Sequence, residues 1–223
     1  MDIIKQALKD GLTTLSEFDS KKVLTEYKVP VTMEIVAKDV NELQQAAEKI
    51  GFPLVLKGSS SEIAHKTEAG LIKIDIRTLE EATAAFEEIS AKMGADKGGV
   101  LVQEMVKGQR ELVIGLTRDP QFGPCVMFGL GGIFTEILKD VAFRVAPLTR
   151  KDAMDIMDDI KSKKILDAVR GMEAVDREML ADILIAVGQI GLDHDEVQEI
   201  DINPLKIRNG KPVAVDALVV LNQ

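Results

Sequence analysis

The sequence predicts an α+β (α/β) protein built from two subdomains. Three observations point there. The first half alternates short apolar runs of strand character with amphipathic stretches of helical period. The second half opens β-rich, continues with two helical stretches, and closes on two strand-like runs around Asn209-Gly210. Finally, 223 residues with 46% hydrophobic and 29% charged side chains permit one large domain or two small ones around a packed core.

Taken in order, Ile3, Ile4, Ala7 and Leu8 recur at helical spacing and stop at Gly11. Ser16 with Asp19 resembles a capping box for a second helix, which runs to about Tyr27 and must end before Pro30. Val31 to Val36 reads as a strand. Asp39 caps a helix with Val40, Leu43, Ala47 and Ile50 on its apolar face, and Gly51 ends it. Leu54 to Lys57 is a short buried strand, followed by a polar loop from Gly58 to Gly70. Leu71 to Ile76 alternates as a strand, and Thr78 with Glu81 caps a helix carrying Ala82, Phe86 and Ile89. Val100 to Met105 is the next strand.

Beyond it, Arg110 to Thr117 and Pro124 to Phe128 flank the turn at Arg118-Asp119-Pro120, and Phe134 to Val145 reads as extended. Helices are expected at about 150–160 and 177–190. No repeat or long linker separates the halves, so the boundary must be tight, near Glu104 to Gly108. The expected division is 25–104 and 105–223, with 1–24 packing on the second part.

Composition excludes several function classes. Aromatic residues are 4% and Trp is absent, which argues against stacking platforms for single-stranded nucleic acid. A net charge of -9 opposes binding a phosphate backbone, and Lys161-Ser162-Lys163-Lys164 is a short solvated run. Cys125 stands alone in an apolar run and reads as a small buried hydrophobe; it permits neither an intrachain disulfide nor a multi-cysteine metal site. The start of the chain has no signal-like pattern and no stretch approaches a membrane span, so a cytoplasmic protein without nucleic-acid or membrane partners is expected.

The closing hairpin carries chemistry. Glu199, Asp201 and Asn203 alternate with Ile200 and Ile202, so the three polar residues share one face of a strand. Asn209-Gly210 is a type I′ turn signal, and a two-residue loop fixes the register. Residues equidistant from the turn then face each other, which places Asn203 opposite Asp216 and Asp201 diagonal to it. Two carboxylates and an amide oxygen on one face suit Mg2+, whose shell substrate phosphates would complete. An ordinary solvent-facing strand fits the same residues, and Pro204 could introduce a bulge that spoils the pairing.

Other residues are less specific. Lys57 ends an apolar strand before a Gly/Ser loop, where it can neutralise a phosphate or simply snorkel to solvent. Gly129-Leu130-Gly131-Gly132 would allow close backbone approach to a ligand, but glycine clusters are usually turns. The Walker A and dinucleotide-binding glycine patterns are absent. His194, in Asp193-His194-Asp195, belongs to a solvated turn. His65 lies in the loop Ser61 to Glu68, where a neutral imidazole could attack a phosphoryl group, although an ordinary loop histidine is the plainer reading.

Taken together, six strings form an ordered series: Phe52 to Lys57, Ile63 to Glu68, Val102 to Val106, Arg110 to Gly115, Gly129 to Asp140, and Glu199 to Leu205. Over nearly the whole chain this series resembles the ATP-grasp β subunit of ADP-forming acetyl-CoA (acyl-CoA) synthetases, and more distantly that of succinyl-CoA synthetase. The resemblance implies an ATP-grasp fold of two subdomains with the nucleotide, ATP or ADP, held between them. It implies that Lys57 binds phosphate, that Glu104 sits beside adenine or ribose, and that Glu111 lies in the nucleotide cleft. Asp201, Asn203 and Asp216 would form the Mg2+ side, in agreement with the hairpin register.

The same resemblance makes His65 a phosphohistidine that carries the phosphoryl group between subunits, with Glu62 or Glu68 orienting its imidazole. It implies a larger α subunit carrying the CoA-binding and ligase domains, for which 223 residues leave no room, and a heterotetramer. Two departures stand out. Leu71 follows Gly70 where the family commonly has a second glycine, which puts the amplitude of loop motion in question, and Glu68 replaces a frequent Asp. The competing expectations are an ATP-grasp carboxylate ligase with another acceptor, which would not need His65, and a nucleotide-sensing module without turnover.

Overall fold

In the computed structural model, residues 3–59, 70–94, 98–108, 110–132, 140–169 and 171–222 are described. The chain divides into two compact units. Ser16–Phe18 with Thr32–Val106 form the smaller, and Met1–Leu15, Asp19–Val31 and Lys107–Gln223 the larger.

The smaller unit carries a four-stranded antiparallel sheet. Its strands are β1 (Glu34–Ala37), β2 (Leu54–Gly58), β3 (Ile72–Ile76) and β4 (Val100–Glu104), in the order β1-β4-β2-β3. Two helices, α3 (Val40–Ile50) and α4 (Leu79–Met93), start where the sequence predicts. The Asp39 side chain accepts from the Glu42 N–H and that of Thr78 from the Glu81 N–H, satisfying amides that have no partner within the first helical turn. Leu43, Ala47, Phe86 and Ile89 pack on Leu54, Leu56, Val100 and Val102 in one core. Strand alternation turns Val55, Lys57, Leu101 and Gln103 to the opposite face, where Lys57 pairs with Leu101 and Val55 with Gln103.

In the larger unit, β5 (Glu111–Asp119), β6 (Gly123–Leu130), β7 (Val141–Val145), β8 (Val197–Arg208), β9 (Lys211–Ala214) and β10 (Leu218–Leu221) form a six-stranded sheet. Its order is β10-β8-β5-β6-β7, with β9 also on β8. Residues of α1 (Ile3–Lys9), α2 (Glu17–Glu26), α5 (Arg150–Asp159) and α6 (Arg177–Asp193) close one face of this sheet. Their apolar side chains bury Leu112, Ile114 and Leu116 of β5, Val126 and Phe128 of β6, and Ile200, Ile202, Leu205 and Ile207 of β8. A 3₁₀ turn at Lys163–Leu166 follows α5. The buried Arg110 guanidinium donates to the carbonyls of Ile165, Asp167 and Glu173, which ties this segment to the start of β5.

Several expectations change. The second helix ends at Glu26, one residue early. The strand expected from Val31 begins only at Glu34, while Val31 makes a lone parallel bridge to Ala214. In the stretch read as extended from Phe134, β7 occupies Val141–Val145, and residues 134–139 lie outside the described residues. Cys125 is half-buried rather than buried, because strand alternation turns it away from the core face that Val126 and Phe128 occupy; burial, and then Asp119, still push its thiol up. No helix among the described residues is long and apolar enough to cross a membrane.

Candidate active site

The closing hairpin builds the first part of the site. Asn209 and Gly210 both have positive φ, 51° and 75°, as a type I′ turn requires. A Cβ on Gly210 would come within 2.8 Å of the Ala174 carbonyl oxygen, so glycine is needed there twice over. From this turn the register runs as the sequence predicts. Arg208 faces Lys211 and Leu205 faces Ala214. The Val215 N–H donates to the Pro204 carbonyl at 3.0 Å. On the far side of Asp216 the same register continues, with Leu218 facing Asp201 and Val220 facing Glu199. Asn203 therefore stands opposite Asp216, which lies in the connection between β9 and β10.

Pro204 does shift a register, but not this one. The irregularity falls against β5, where Leu112 faces Leu205 while Ile114 faces Ile202. One extra residue on β8 lets Ile200, Ile202, Leu205 and Ile207 all reach the core despite the odd spacing between Ile202 and Leu205. The hairpin edge is untouched, so Glu199, Asp201 and Asn203 keep the face opposite the core. Asp201 faces Gly115 on β5, which places no side chain over its carboxylate.

The acidic groups of this face act on one another. Burial, then the charges of Glu199 and Asp216, push the Asp201 carboxyl up from 3.8 to about 6. Without a cation, the folded chain holds this proton more tightly than the unfolded chain. Its contribution to stability is therefore lost as pH rises from 3.8 through about 6. Among the described residues, no group of three or more His, Cys, Asp or Glu side chains is placed to hold a metal ion. Two carboxylates and one amide oxygen are instead what Mg2+ uses when substrate phosphates supply the rest of its shell. The donor set fits that ion.

Glu111 opens β5 and faces Lys206 of β8, whose ammonium is 3.1 Å from its carboxylate. Gly132, with φ 65°, lies so close that a Cβ there would meet the Glu111 Oε2 at 2.6 Å. The Gly131 N–H donates to the Glu111 carbonyl at 2.8 Å, and a Cβ on Gly131 would approach the Leu112 carbonyl oxygen to 2.6 Å. The close approach that Gly131 and Gly132 permit is thus to β5 and the Glu111 side chain, and that of Gly129 is to Asp140 and Val141.

The other expected residues lie in the smaller unit. Lys57 sits near the end of β2, almost fully buried, with its ammonium 2.6 Å from the Glu17 carboxylate. It does not snorkel to solvent, because this partner holds it inside. Glu104 ends β4 and accepts the Met33 N–H at 3.0 Å, while its own N–H donates to the Met33 carbonyl at 2.9 Å. His65, Glu62 and Glu68 lie outside the described residues. In the larger unit, His194 caps the C-terminal end of α6 and contacts the Tyr27 hydroxyl at 3.1 Å.

Sequence reasoning missed Glu17 and Lys206. Glu17 lies 40 residues from its partner, and no local pattern links them. Lys206 was legible only once β8 was known to lie against β5.

Comparison with known proteins places the chain in a family. The ATP-grasp domain family matches residues 6–221. The β subunit of acetate–CoA ligase [ADP-forming] I from Pyrococcus furiosus is 44% identical, over 99% of this chain and 97% of that protein. The single-chain acetate–CoA ligase [ADP-forming] I of Archaeoglobus fulgidus is 39% identical, and the match covers only 33% of its length. The acetyl-coenzyme A synthetase 1 of Ca. Korarchaeum cryptofilum, solved with coenzyme A and Ca-AMPCP, superposes with a TM-score of 0.95 at 41% identity, covering 99% of both chains. Another structure of that enzyme, holding Mg-AMPPCP with its phosphohistidine segment pointing towards the nucleotide binding site, superposes with a TM-score of 0.88. The chain thus belongs to the ATP-grasp domain family and, within it, to the β subunits of ADP-forming acetate–CoA ligases.

Proposed function

We propose that this chain is the nucleotide-binding β subunit of an ADP-forming acyl-CoA synthetase. It would interconvert acyl-CoA, ADP and phosphate with the carboxylic acid, CoA and ATP. The observation that carries the reading is the hairpin register, which sets Asn203 opposite Asp216 and Asp201 diagonal to it on the face turned away from the core. On this reading Asp201, Asn203 and Asp216 hold Mg2+. When bound, the ion neutralises phosphate charge that these carboxylates alone would repel.

The remaining steps belong to the chain's own residues. Lys57 supplies positive charge to the phosphates. Glu104 lies beside adenine or ribose, and Glu111, held by Lys206, offers a fixed acceptor in the nucleotide site. An imidazole nitrogen of His65 attacks the γ-phosphorus of ATP. The N–P bond forms as the bond to the bridging oxygen breaks, and ADP leaves with the electron pair. The phosphohistidine then delivers the phosphoryl group to a larger α subunit carrying the CoA-binding and ligase domains, in a heterotetramer. The threefold longer single-chain relative and the "subunit beta" designation of the Pyrococcus protein support such a partner.

Phosphoryl labelling tests this function. The chain, with its α partner, is incubated with Mg2+ and γ-labelled ATP. Acid-labile, base-stable label is expected on the wild type and absent from His65→Ala. Equal labelling of both proteins, or none on either with the partner present, would rule out the relay.

A further inference from the structure

The ion pair between Lys57 and Glu17 asks for an explanation that stability does not provide. The Glu17 carboxylate lies 2.6 Å from the Lys57 ammonium, and the two side chains are 1% and 6% exposed. Taking both charges out of water is costly, and an apolar pair of the same volume would commonly serve the fold as well or better. Glu17 is also the first residue of α2, and it groups with the smaller unit as part of the short segment Ser16–Phe18. Its carboxylate is therefore brought to β2 from a distant part of the chain, against a lysine on the sheet face opposite α3 and α4.

What such a carboxylate does for a lysine follows from the lysine's chemistry. An ammonium on a four-carbon stem is flexible, and burial without a counter-charge favours the neutral amine. A fixed carboxylate removes both problems. It favours the charged form and confines the stem to one arrangement. We propose that Glu17 is the positioning residue of Lys57, keeping its ammonium charged and held in place for the phosphates of the nucleotide. The proposal rests on the reading of Lys57 as a phosphate ligand. Glu17 itself touches no substrate on this account; it acts through Lys57.

The test is a double-mutant cycle on the full chain, read by calorimetric titration with ADP and with adenosine in saturating Mg2+, well below each variant's melting temperature. Glu17→Gln should weaken ADP about tenfold and leave adenosine within about twofold, because only the phosphates need the ammonium. Glu17→Asp, which keeps the charge, should recover part of the loss. In a Lys57→Gln background the Glu17→Gln change should have no further effect on ADP. A purely structural Glu17 would lower the melting temperature while leaving the ADP-to-adenosine ratio unmoved, and that result would overturn the proposal. So would tighter ADP binding in Glu17→Gln, which would mean that the carboxylate competes with phosphate. Should Lys57→Gln alone leave the ratio unchanged, the Lys57 reading itself fails, an outcome distinct from failure of Glu17 with Lys57 intact.

Discussion

Asp216 has no repeating strand pattern around it, yet it is the residue on which the proposed metal face turns. It lies between two short strands, and the register on both sides of it sets it against Asn203. Its charge is one of those that push the Asp201 carboxyl up to about 6, so the two carboxylates sense each other. Asp216→Ala removes a hard oxygen ligand and relieves that repulsion. The expected outcome is loss of the Mg2+ dependence of ADP binding, with affinity in Mg2+ falling roughly tenfold or more as for loss of a charged ligand contact. Titration with ADP in Mg2+ and in chelator measures it, and an undiminished Mg2+ effect would remove the metal reading of the hairpin.

The elements are held by contacts that do not follow from their own periodicity. Arg110 is the example of greatest consequence. Its guanidinium is buried and serves three carbonyls of the segment 165–173, across more than 50 residues of sequence. Arg110→Met would keep the apolar stem but leave those carbonyls short of a donor. Destabilisation of about 3 kcal/mol is expected, in line with unsatisfied buried acceptors of a charged donor. A denaturant titration would show it as a lower midpoint, and a change within experimental error would mean that water replaces the guanidinium.

For the molecule as a whole, the family assignment leads to a division of labour. The Archaeoglobus relative carries this portion as one third of a single chain. The isolated protein is expected to bind Mg-ADP and to make no ATP from acyl-CoA, ADP and phosphate. Turnover should appear when the chain is co-expressed with an α subunit of the same family. A coupled ATP assay on the two preparations checks this, and sustained turnover by the lone chain would exclude the two-subunit scheme.

Much of this architecture was determined by local sequence. The caps at Asp39 and Thr78, the type I′ turn at Asn209-Gly210 and the alternation from Glu199 to Asn203 each depend on residues within one turn or one strand pair. Backbone geometry translates such patterns directly, which is why the hairpin register and its polar face were legible in advance. The strand start was misjudged at Val31 because apolar β-branched residues suit a strand wherever they stand, whereas only pairing partners decide where a ladder begins. Pro204 shifted a register, but which neighbour absorbed the bulge depended on β8 having β5 on one side and the hairpin on the other. Likewise the place of Lys57 at a strand end leaves phosphate binding and snorkelling to solvent both open, and only the folded chain brings Glu17 to it from 40 residues away. The sequence by itself determined the elements, the turn and the face on which Glu199, Asp201 and Asn203 stand, since these are short-range consequences of φ, ψ and side-chain period. Tertiary structure alone decided which charges meet, because an ion pair between distant residues depends on the packing of whole elements.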